Sequence, residues 1–374
     1  MTQNTARFLP LDVFRGMTVC FMIIVNTPGT DQVFGPLRHA HWHGFTPTDL
    51  VFPSFLFAVG NAMSFSMRKF ETLPHATVVG KVLKRTALIF LLGFLMYWLP
   101  FFRPAAGGGL ELIPIGETRI LGVLQRIALC YGLASLLIHF LPRKGVISAA
   151  VVLLLGYWAV LWFFGTPGEQ YTIQGNAGLA LDKLIMGDAH LYKGEGFPFD
   201  PEGILSTFPA IVNVIAGYYA GLYIQQRGKT LSGLYPMLIA GIVLVALAYT
   251  WDLSFPINKK LWTSSYVLLT VGLDLLILSV LIYIIDIQHS QGWTGFFTVF
   301  GKNPLFLYLL SEVLAIFLYT FSTGTVSWYE WINTHIFQPP APGKVGSLLF
   351  ALTYMLLCWV VGKWLDAKRI YVRV

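Results

Sequence analysis

The sequence predicts an all-α protein, a polytopic membrane helix bundle with about ten transmembrane helices, from three observations. Hydrophobic residues make up 56% of the 374 residues and charged residues only 11%, against roughly a quarter in soluble domains. The mean hydropathy is +0.66. Uncharged runs of about 17 to 25 residues, enough to cross the hydrocarbon core, recur along the chain. This composition argues against a water-soluble enzyme.

Ten apolar runs are expected to form spanning helices, because a bilayer requires backbone polar groups to pair within their own segment. Four of these runs are short, or adjoin or contain Arg126, Asp274 or Glu312, and these polar side chains are expected to face inward. In chain order the runs cover residues 16–30, 50–67, 86–102, 127–142, 145–164, 203–226, 230–251, 261–285, 303–321 and 345–362.

The distribution of Lys and Arg predicts the orientation of the bundle. An even number of spans places both termini on one side. Eight cations lie in segments of the opposite side, whereas the terminal side carries sixteen of the 25: Arg7, Arg15, Arg68, Lys69, Lys81, Lys84, Arg85, Arg143, Lys144, Arg227, Lys229, Lys302, Lys363, Lys368, Arg369 and Arg373. Both termini are therefore predicted to be cytoplasmic. The net charge of +7 is explained by these cytoplasmic cations and does not indicate nucleic-acid binding.

The chain is predicted to form one domain over residues 1–374, with an external loop at 165–202 that covers a site. The loop is rich in Gly, Pro, Tyr and Phe and is expected to contain a short helix near 178–185. The first span is expected to remain a membrane helix rather than a cleaved signal peptide. Cys20, Cys130 and Cys358 lie in separate apolar runs, which is typical of small buried hydrophobic residues.

Three histidines alternate in the first external loop, at His39, His41 and His43. If the loop were extended they would share a face, which is one pattern for a metal site. Because a fourth ligand is not evident nearby, the favoured interpretation is interfacial histidines beside Trp42, with no metal.

Asn26, near the external end of the first span, precedes His39 by about a dozen residues. An imidazole can accept a proton from an attacking amine, and an amide N–H can stabilise an oxyanion. The alternative is that Asn26 ends a helix and that His39 is a surface residue. Asp49 fits the N-cap of the second span, and it could also orient a histidine.

Further polar residues collect near the external ends of the spans, in GVLQRIAL, in DPEGILST at 200–207 and in NKKLWTSS at 258–265. A buried arginine at 126 requires an anionic or carbonyl partner. Polar clusters that face one side predict a shared substrate site, whose candidate residues are Trp42, Gln125, Arg126, Asp200, Glu202, Asn258, Lys259, Trp262 and Ser264.

On the cytoplasmic side, Arg15, Lys84, Arg85 and Lys302 are candidates to neutralise the phosphates of a nucleotide-like donor. The positive-inside rule explains the same cations without a ligand. The sequence contains neither a Gly-rich nucleotide loop nor a Ser nucleophile elbow nor an HExxH helix.

Taken together, LDVFRGMTVCFMIIVN, RHAHWHGFTPTDLVFPSFLFAVG, GVLQRIA, DPEGILSTFPAI, NKKLWTSSYVL and GKNPL resemble the heparan-α-glucosaminide N-acetyltransferase family, including its bacterial NagX-type members. The resemblance implies a transmembrane enzyme of a bacterial inner membrane that moves acetyl from cytoplasmic acetyl-CoA to the amino group of a glucosamine-type sugar on the periplasmic side. It also implies that His39 is the active-site histidine and that Asn26 and Asp49 accompany it.

Two chemical routes and one other function class stay open from the sequence. His39 would act as general base with Asn26 or Arg126 at the oxyanion, or it would carry the acetyl group covalently. The alternative class is a secondary transporter for amino sugars or cell-wall fragments, in which Asp274 and Glu312 couple protons to transport. A homodimer is also expected.

Overall fold

The computed structural model describes residues 8–104, 109–227 and 230–372, so the counted cations Arg7, Lys229 and Arg373 lie outside the described residues. The described residues are mainly helical, with irregular loops between the helices and two small antiparallel hairpins, β1 (Phe102–Pro104) with β2 (Leu110–Leu112) and β3 (Ser322–Thr323) with β4 (Val326–Ser327). The helices are α1 Leu9–Asn26, α2 Val51–Ser66, α3 His75–Trp98, α4 Val123–Phe140, α5 Arg143–Phe164, α6 Ala177–Met186, α7 Ile204–Arg227, α8 Leu231–Asp252, α9 Ser264–Ile282, α10 Thr294–Lys302, α11 Pro304–Thr320, α12 Trp328–Ile332 and α13 Lys344–Ala367. The predicted all-α class is confirmed.

Within the described ranges, eight helical segments are long and apolar enough to cross a membrane, and a ninth candidate is the pair α10 and α11. This pair bends by 82° between Lys302 and Pro304. The prediction of about ten spans compares with these eight or nine segments of the described residues. The run at 86–102 lies in α3, which also carries Lys81, Lys84 and Arg85 and does not qualify.

Helices α1, α2, α7 and α9 form the centre of the bundle, and α2 packs along α7. Small residues permit this approach: a Cβ on Gly60 would overlap the Val214 carbonyl oxygen, and one on Gly217 would overlap that of Phe57. Helices α5 and α8 lie at the periphery with most side chains exposed, as expected of lipid-facing helices. The three cysteines are free and buried.

The segment Pro47–Phe70 contains α2 and a 3₁₀ turn at each end, Pro47–Leu50 and Met67–Phe70. At 1.5 Å per residue this segment is about 36 Å long, slightly more than the hydrocarbon thickness. Asp49 lies at one end, whereas Arg68 and Lys69 lie at the other. The end of α2 that carries Asp49 and the end that carries Arg68 and Lys69 therefore lie on opposite sides of the bundle.

Candidate active site

His39 is held against Asp49 at the N-terminal end of α2. Its Nδ1 lies 2.7 Å from Asp49 Oδ1, and Asp49 Oδ2 accepts hydrogen bonds from the backbone N–H groups of Ala40 and Thr46, both at 3.0 Å. The Asp49 side chain is 1% exposed and that of His39 is 44% exposed. Because a carboxylate can only accept a hydrogen bond, Nδ1 donates to Asp49 and Nε2 keeps its lone pair. The arrangement is that of an oriented general base.

The sequence predicted Asp49 as an N-cap, and this detail is wrong. Thr46 is the N-cap of the turn Pro47–Leu50, and Asp49 is the third residue of that turn, where its carboxylate completes a capping box. The capping role of Asp49 and its contact with His39 are compatible because the two carboxylate oxygens have separate partners.

Lys259 reaches the same imidazole from the segment between α8 and α9. Its Nζ lies 3.0 Å from Nδ1 and 3.3 Å from Nε2 of His39, and 3.8 Å from Asp49 Oδ1. Partial burial lowers the pKa of the His39 imidazole, the Asp49 hydrogen bond raises it, and the Lys259 charge lowers it again. Burial likewise lowers the pKa of the Lys259 ammonium, while Asp49 and Glu202 act to raise it.

A second charged cluster contains Arg119, which the sequence analysis did not select. Its guanidinium lies 2.6 Å from both Asp200 and Glu202 and is sandwiched between the rings of Tyr97 and Tyr192. Burial raises the pKa of Asp200, whereas Arg119 and Arg126 hold that of Glu202 below its usual value against the effect of burial. Arg119 adjoins an apolar span, as Arg126 does. A charged residue at such a position was the feature of the sequence that could have identified Arg119 as a candidate site residue.

Arg126 is 1% exposed and stacks on the face of Trp262 at 4.8 Å. One guanidinium nitrogen, Nη2, donates to Ser206 and to the Gly203 carbonyl oxygen. Among the described residues, Nε and Nη1 are buried without a hydrogen-bond partner, and the same holds for both amide atoms of the neighbouring Gln125. Buried donors are normally satisfied, so these groups depart from the usual pairing of buried polar atoms.

Asn26 ends α1, as predicted, but its amide does not hydrogen-bond to His39 in the part of the chain that the structure describes. Its Nδ2 donates instead to Glu312 Oε1 of α11 at 3.2 Å. Asp274, the other predicted inward carboxylate, accepts a hydrogen bond from Ser54.

The remaining predicted substrate residues have diverse positions. Trp42 donates to the Tyr171 carbonyl oxygen at 2.8 Å. Fully buried Asn258 accepts a hydrogen bond from the Leu261 N–H and lies 3.4 Å from His43. Trp262 donates to Asn213, and Ser264 joins α9 to the Leu154 carbonyl oxygen of α5. Ser264 is therefore used in helix packing.

The external loop is fastened to this region at several points. Besides the Trp42 contact, Lys260 pairs with Glu195 at 2.6 Å. The predicted short helix is confirmed as α6, and its Asp182 accepts a hydrogen bond from the Ile204 N–H at the start of α7. Burial raises the pKa of Asp182 to about 7.

A cavity of about 670 Å³ lies toward the opposite end of α2. Two of the four predicted donor-binding cations, Arg15 and Arg85, line it. Lys84 is exposed on α3, and Lys302 pairs with Asp366 at 2.7 Å. Arg68, Lys69 and Asn61 also line the cavity and were not among the predicted site residues. Both side-chain polar atoms of Asn61 are buried and have no hydrogen-bond partner within the described ranges.

The alternating histidines diverge in their contacts: His39 binds Asp49, His43 lies near Asn258, and His41 is exposed. Across residues 8–104, 109–227 and 230–372, no group of three or more His, Cys, Asp or Glu side chains is arranged to hold a metal ion.

The fold and site define a polytopic membrane protein with a carboxylate-oriented histidine at one end of its central helices and a cation-lined cavity toward the other. The family model described as heparan-alpha-glucosaminide N-acetyltransferase, catalytic, matches residues 7–247. The chain belongs to this family. The matched range contains His39, Asp49 and Arg126 and ends before Lys259.

Two relatives carry the name heparan-alpha-glucosaminide N-acetyltransferase. The human protein is 28% identical over 362 residues, which cover 82% of this chain and 53% of the relative. The mouse protein is 26% identical over 367 residues, covering 83% of this chain and 54% of the relative. The chain thus spans about half the length of the curated relatives it matches.

Proposed function

We propose that this protein transfers acetyl from cytoplasmic acetyl-CoA to the amino group of a glucosamine-type sugar on the periplasmic side of a bacterial inner membrane. The observation that carries the proposal is the Asp49–His39 hydrogen bond, which orients a partly exposed imidazole and leaves the lone pair on its Nε2. The names of the relatives supply the reaction class. An acyltransferase that acts on an amine requires such a base.

The cavity toward the cytoplasmic end of α2 is the proposed donor site. Arg68, Lys69, Arg15 and Arg85 supply positive charge for phosphates. Deeper residues, including Phe55 and Ile127, supply apolar walls for the pantetheine arm, and the unpaired Asn61 amide suits one of its amide groups.

The acceptor sugar occupies the external side, between the His39 imidazole and the charged cluster of Asp200 and Glu202. The predicted loop at 165–202 covers this site, and two contacts support the proposal. The Trp42 indole is bonded to Tyr171 and Lys260 to Glu195, so the loop is tied to both segments that supply site residues.

In the proposed step, the sugar nitrogen attacks the thioester carbonyl carbon. A C–N bond forms and the C–S bond breaks; His39 Nε2 accepts the amine proton and delivers it to the departing sulfur, which leaves as the thiol of CoA. Arg126 is favoured over Asn26 for the oxyanion, because Arg126 has two unpaired N–H groups whereas Asn26 donates to Glu312. The rival route passes through acetyl-His39.

The test uses purified protein in liposomes with acetyl-CoA and glucosamine. The wild type is expected to release free CoA and form N-acetylglucosamine. His39→Ala is expected to abolish both while remaining folded, and His41→Ala, a change at the exposed neighbour, is expected to retain activity. Full activity of His39→Ala would refute both chemical routes. Sugar flux without acetylated product would favour the transporter, and labelled acetyl trapped on His39 would favour the covalent route.

A further inference from the structure

Lys259 is held beside His39 by a tightly determined turn. Asn258 is fully buried and bonds within the turn to Leu261 and Thr263. Trp262 is 1% exposed and has a left-handed φ of 54°, a backbone conformation that a bulky residue keeps only when its surroundings impose it. The backbone that carries Lys259 is therefore fixed by buried contacts.

The Lys259 ammonium lies almost equally far from the two nitrogens of the His39 ring, at 3.0 Å and 3.3 Å. Its side chain is 19% exposed, so the charge is screened less than that of a surface lysine. A lysine that only bound a distant part of the substrate would not need to contact the imidazole. At these distances the Lys259 ammonium acts on the imidazole itself.

Three charged groups act on the His39 imidazole from the segments packed around it. Asp49 stabilises the imidazolium, Lys259 destabilises it, and Lys260, whose ammonium pairs with Glu195, destabilises it less. Asp49 and Glu202 in turn stabilise the charge of Lys259. The imidazole therefore contacts one negative and one positive charge, which also lie 3.8 Å from each other.

We infer that Lys259 is a positioning residue of the acetyl-transfer site, whose fixed ammonium keeps both the His39 imidazole and the acceptor amine unprotonated. The inference rests on the proposed function for the role of the amine. Only a neutral amine has the lone pair that attacks the thioester, and only a neutral imidazole can accept its proton. An amine within hydrogen-bonding reach of Nε2 also lies close to the Lys259 charge.

The sign of the effect follows from the opposing charges. Removing the Lys259 charge leaves Asp49 in excess, so the pKa of His39 rises. In Lys259→Met and Lys259→Gln, the acid limb of the profile of kcat/KM against pH is expected to move upward by about one pH unit. Activity at neutral pH then falls by about threefold or less, because the pKa of the wild-type His39 starts below its ordinary value, and it recovers at higher pH, while KM for acetyl-CoA stays unchanged.

Matched variants separate charge from shape. Lys259→Arg keeps the positive charge and is expected to keep the wild-type acid limb. Lys260→Met removes the adjacent lysine, whose side chain is similarly exposed at 21%, and is expected to shift the limb by a smaller amount than Lys259→Met.

A second measurement titrates His39 without any acetyl transfer. Diethyl pyrocarbonate reacts with neutral imidazole, so its rate against pH, resolved at His39 by fragmentation mass spectrometry, gives the protonation midpoint in each folded variant. The midpoint is expected to rise in Lys259→Met and in Lys259→Gln. An unmoved midpoint, or a raised KM for the sugar with an unmoved acid limb, would overturn the inference. A raised midpoint in a protein that transfers no acetyl group would refute the proposed function and leave the electrostatic coupling of Lys259 to His39 standing.

Discussion

At the scale of single residues, Arg119 and Arg126 differ in how fully they are paired. Arg119 has two carboxylates, Asp200 and Glu202, at 2.6 Å. Arg126 has one hydroxyl and one carbonyl partner on Nη2, and Nε and Nη1 have none in the part of the chain that the structure describes. A buried charge that lacks partners costs stability, so the position of Arg126 is better explained by a ligand than by folding.

We predict that Arg126→Met lowers the rate of acetyl transfer by about 10²-fold or more, the effect of removing an oxyanion donor. Its thermal stability is expected to equal or exceed that of the wild type, because the change removes unpaired buried N–H groups. The measurements are kcat and the denaturation midpoint in the same detergent. A variant that is unstable but fully active would mean that Arg126 is structural.

Arg119→Met is the matched control for this prediction. It leaves Asp200 and Glu202 without their shared partner, and breaking a buried pair costs about 3–5 kcal/mol. The two variants are therefore expected to change stability in opposite directions.

Two contacts of the site differ in whether they can be predicted from the sequence. The possible contact of Asp49 with a histidine was foreseen, because both residues lie in one short loop and such a loop brings them together. The Asn26–Glu312 hydrogen bond joins residues 286 positions apart. Neither residue carries a local signal for its partner, so helix packing alone determines the pair.

At the scale of elements, hydropathy predicted most helices, because uncharged runs of spanning length need no tertiary information. The break between α10 and α11 was not predicted. Asn303 adopts a non-helical conformation before Pro304, and its side chain bonds to the Ile370 carbonyl oxygen and to the Val372 N–H. The bend is thus supported by the C-terminal segment, which a window along the sequence does not contain.

The packing of α2 on α7 gives an element-scale prediction. Gly60→Ala would place a Cβ inside the van der Waals radius of the Val214 carbonyl oxygen, so the helices must separate. We expect a loss of about 2 kcal/mol or more, together with lower activity, because α2 and α7 position Asp49 and Glu202. The measurements are the denaturation midpoint and the yield of monodisperse protein.

Gly80→Ala is the control, since open space surrounds this helical glycine. It is expected to stabilise the protein by up to about 1 kcal/mol through helix propensity. Equal stability of the two variants would contradict the role assigned to the close approach at Gly60.

At the scale of the whole molecule, the two halves of the proposed reaction lie toward opposite ends of α2. His39 is near the N-terminal end, and the cavity lined by Arg68 and Lys69 is near the C-terminal end. Twenty residues separate Asp49 from Lys69, which is about 30 Å of helix and close to the hydrocarbon thickness. Because α1 begins beside the cavity, the predicted cytoplasmic N-terminus and the proposed cytoplasmic donor site require the same orientation of the bundle.

This separation predicts strict sidedness in proteoliposomes of known orientation. Acetyl-CoA is expected to be consumed only when it is supplied on the face that carries Arg68 and Lys69, and N-acetylglucosamine is expected to appear on the opposite face. Arg68→Gln combined with Lys69→Gln should raise KM for acetyl-CoA about tenfold and leave KM for the sugar unchanged, whereas Lys144→Gln, a change at an exposed lysine outside the cavity, should alter neither. In the proposed arrangement, acetyl-CoA supplied on the face that carries His39 is separated from its cavity by the apolar thickness of the bundle. Consumption of acetyl-CoA from that face would therefore contradict the arrangement.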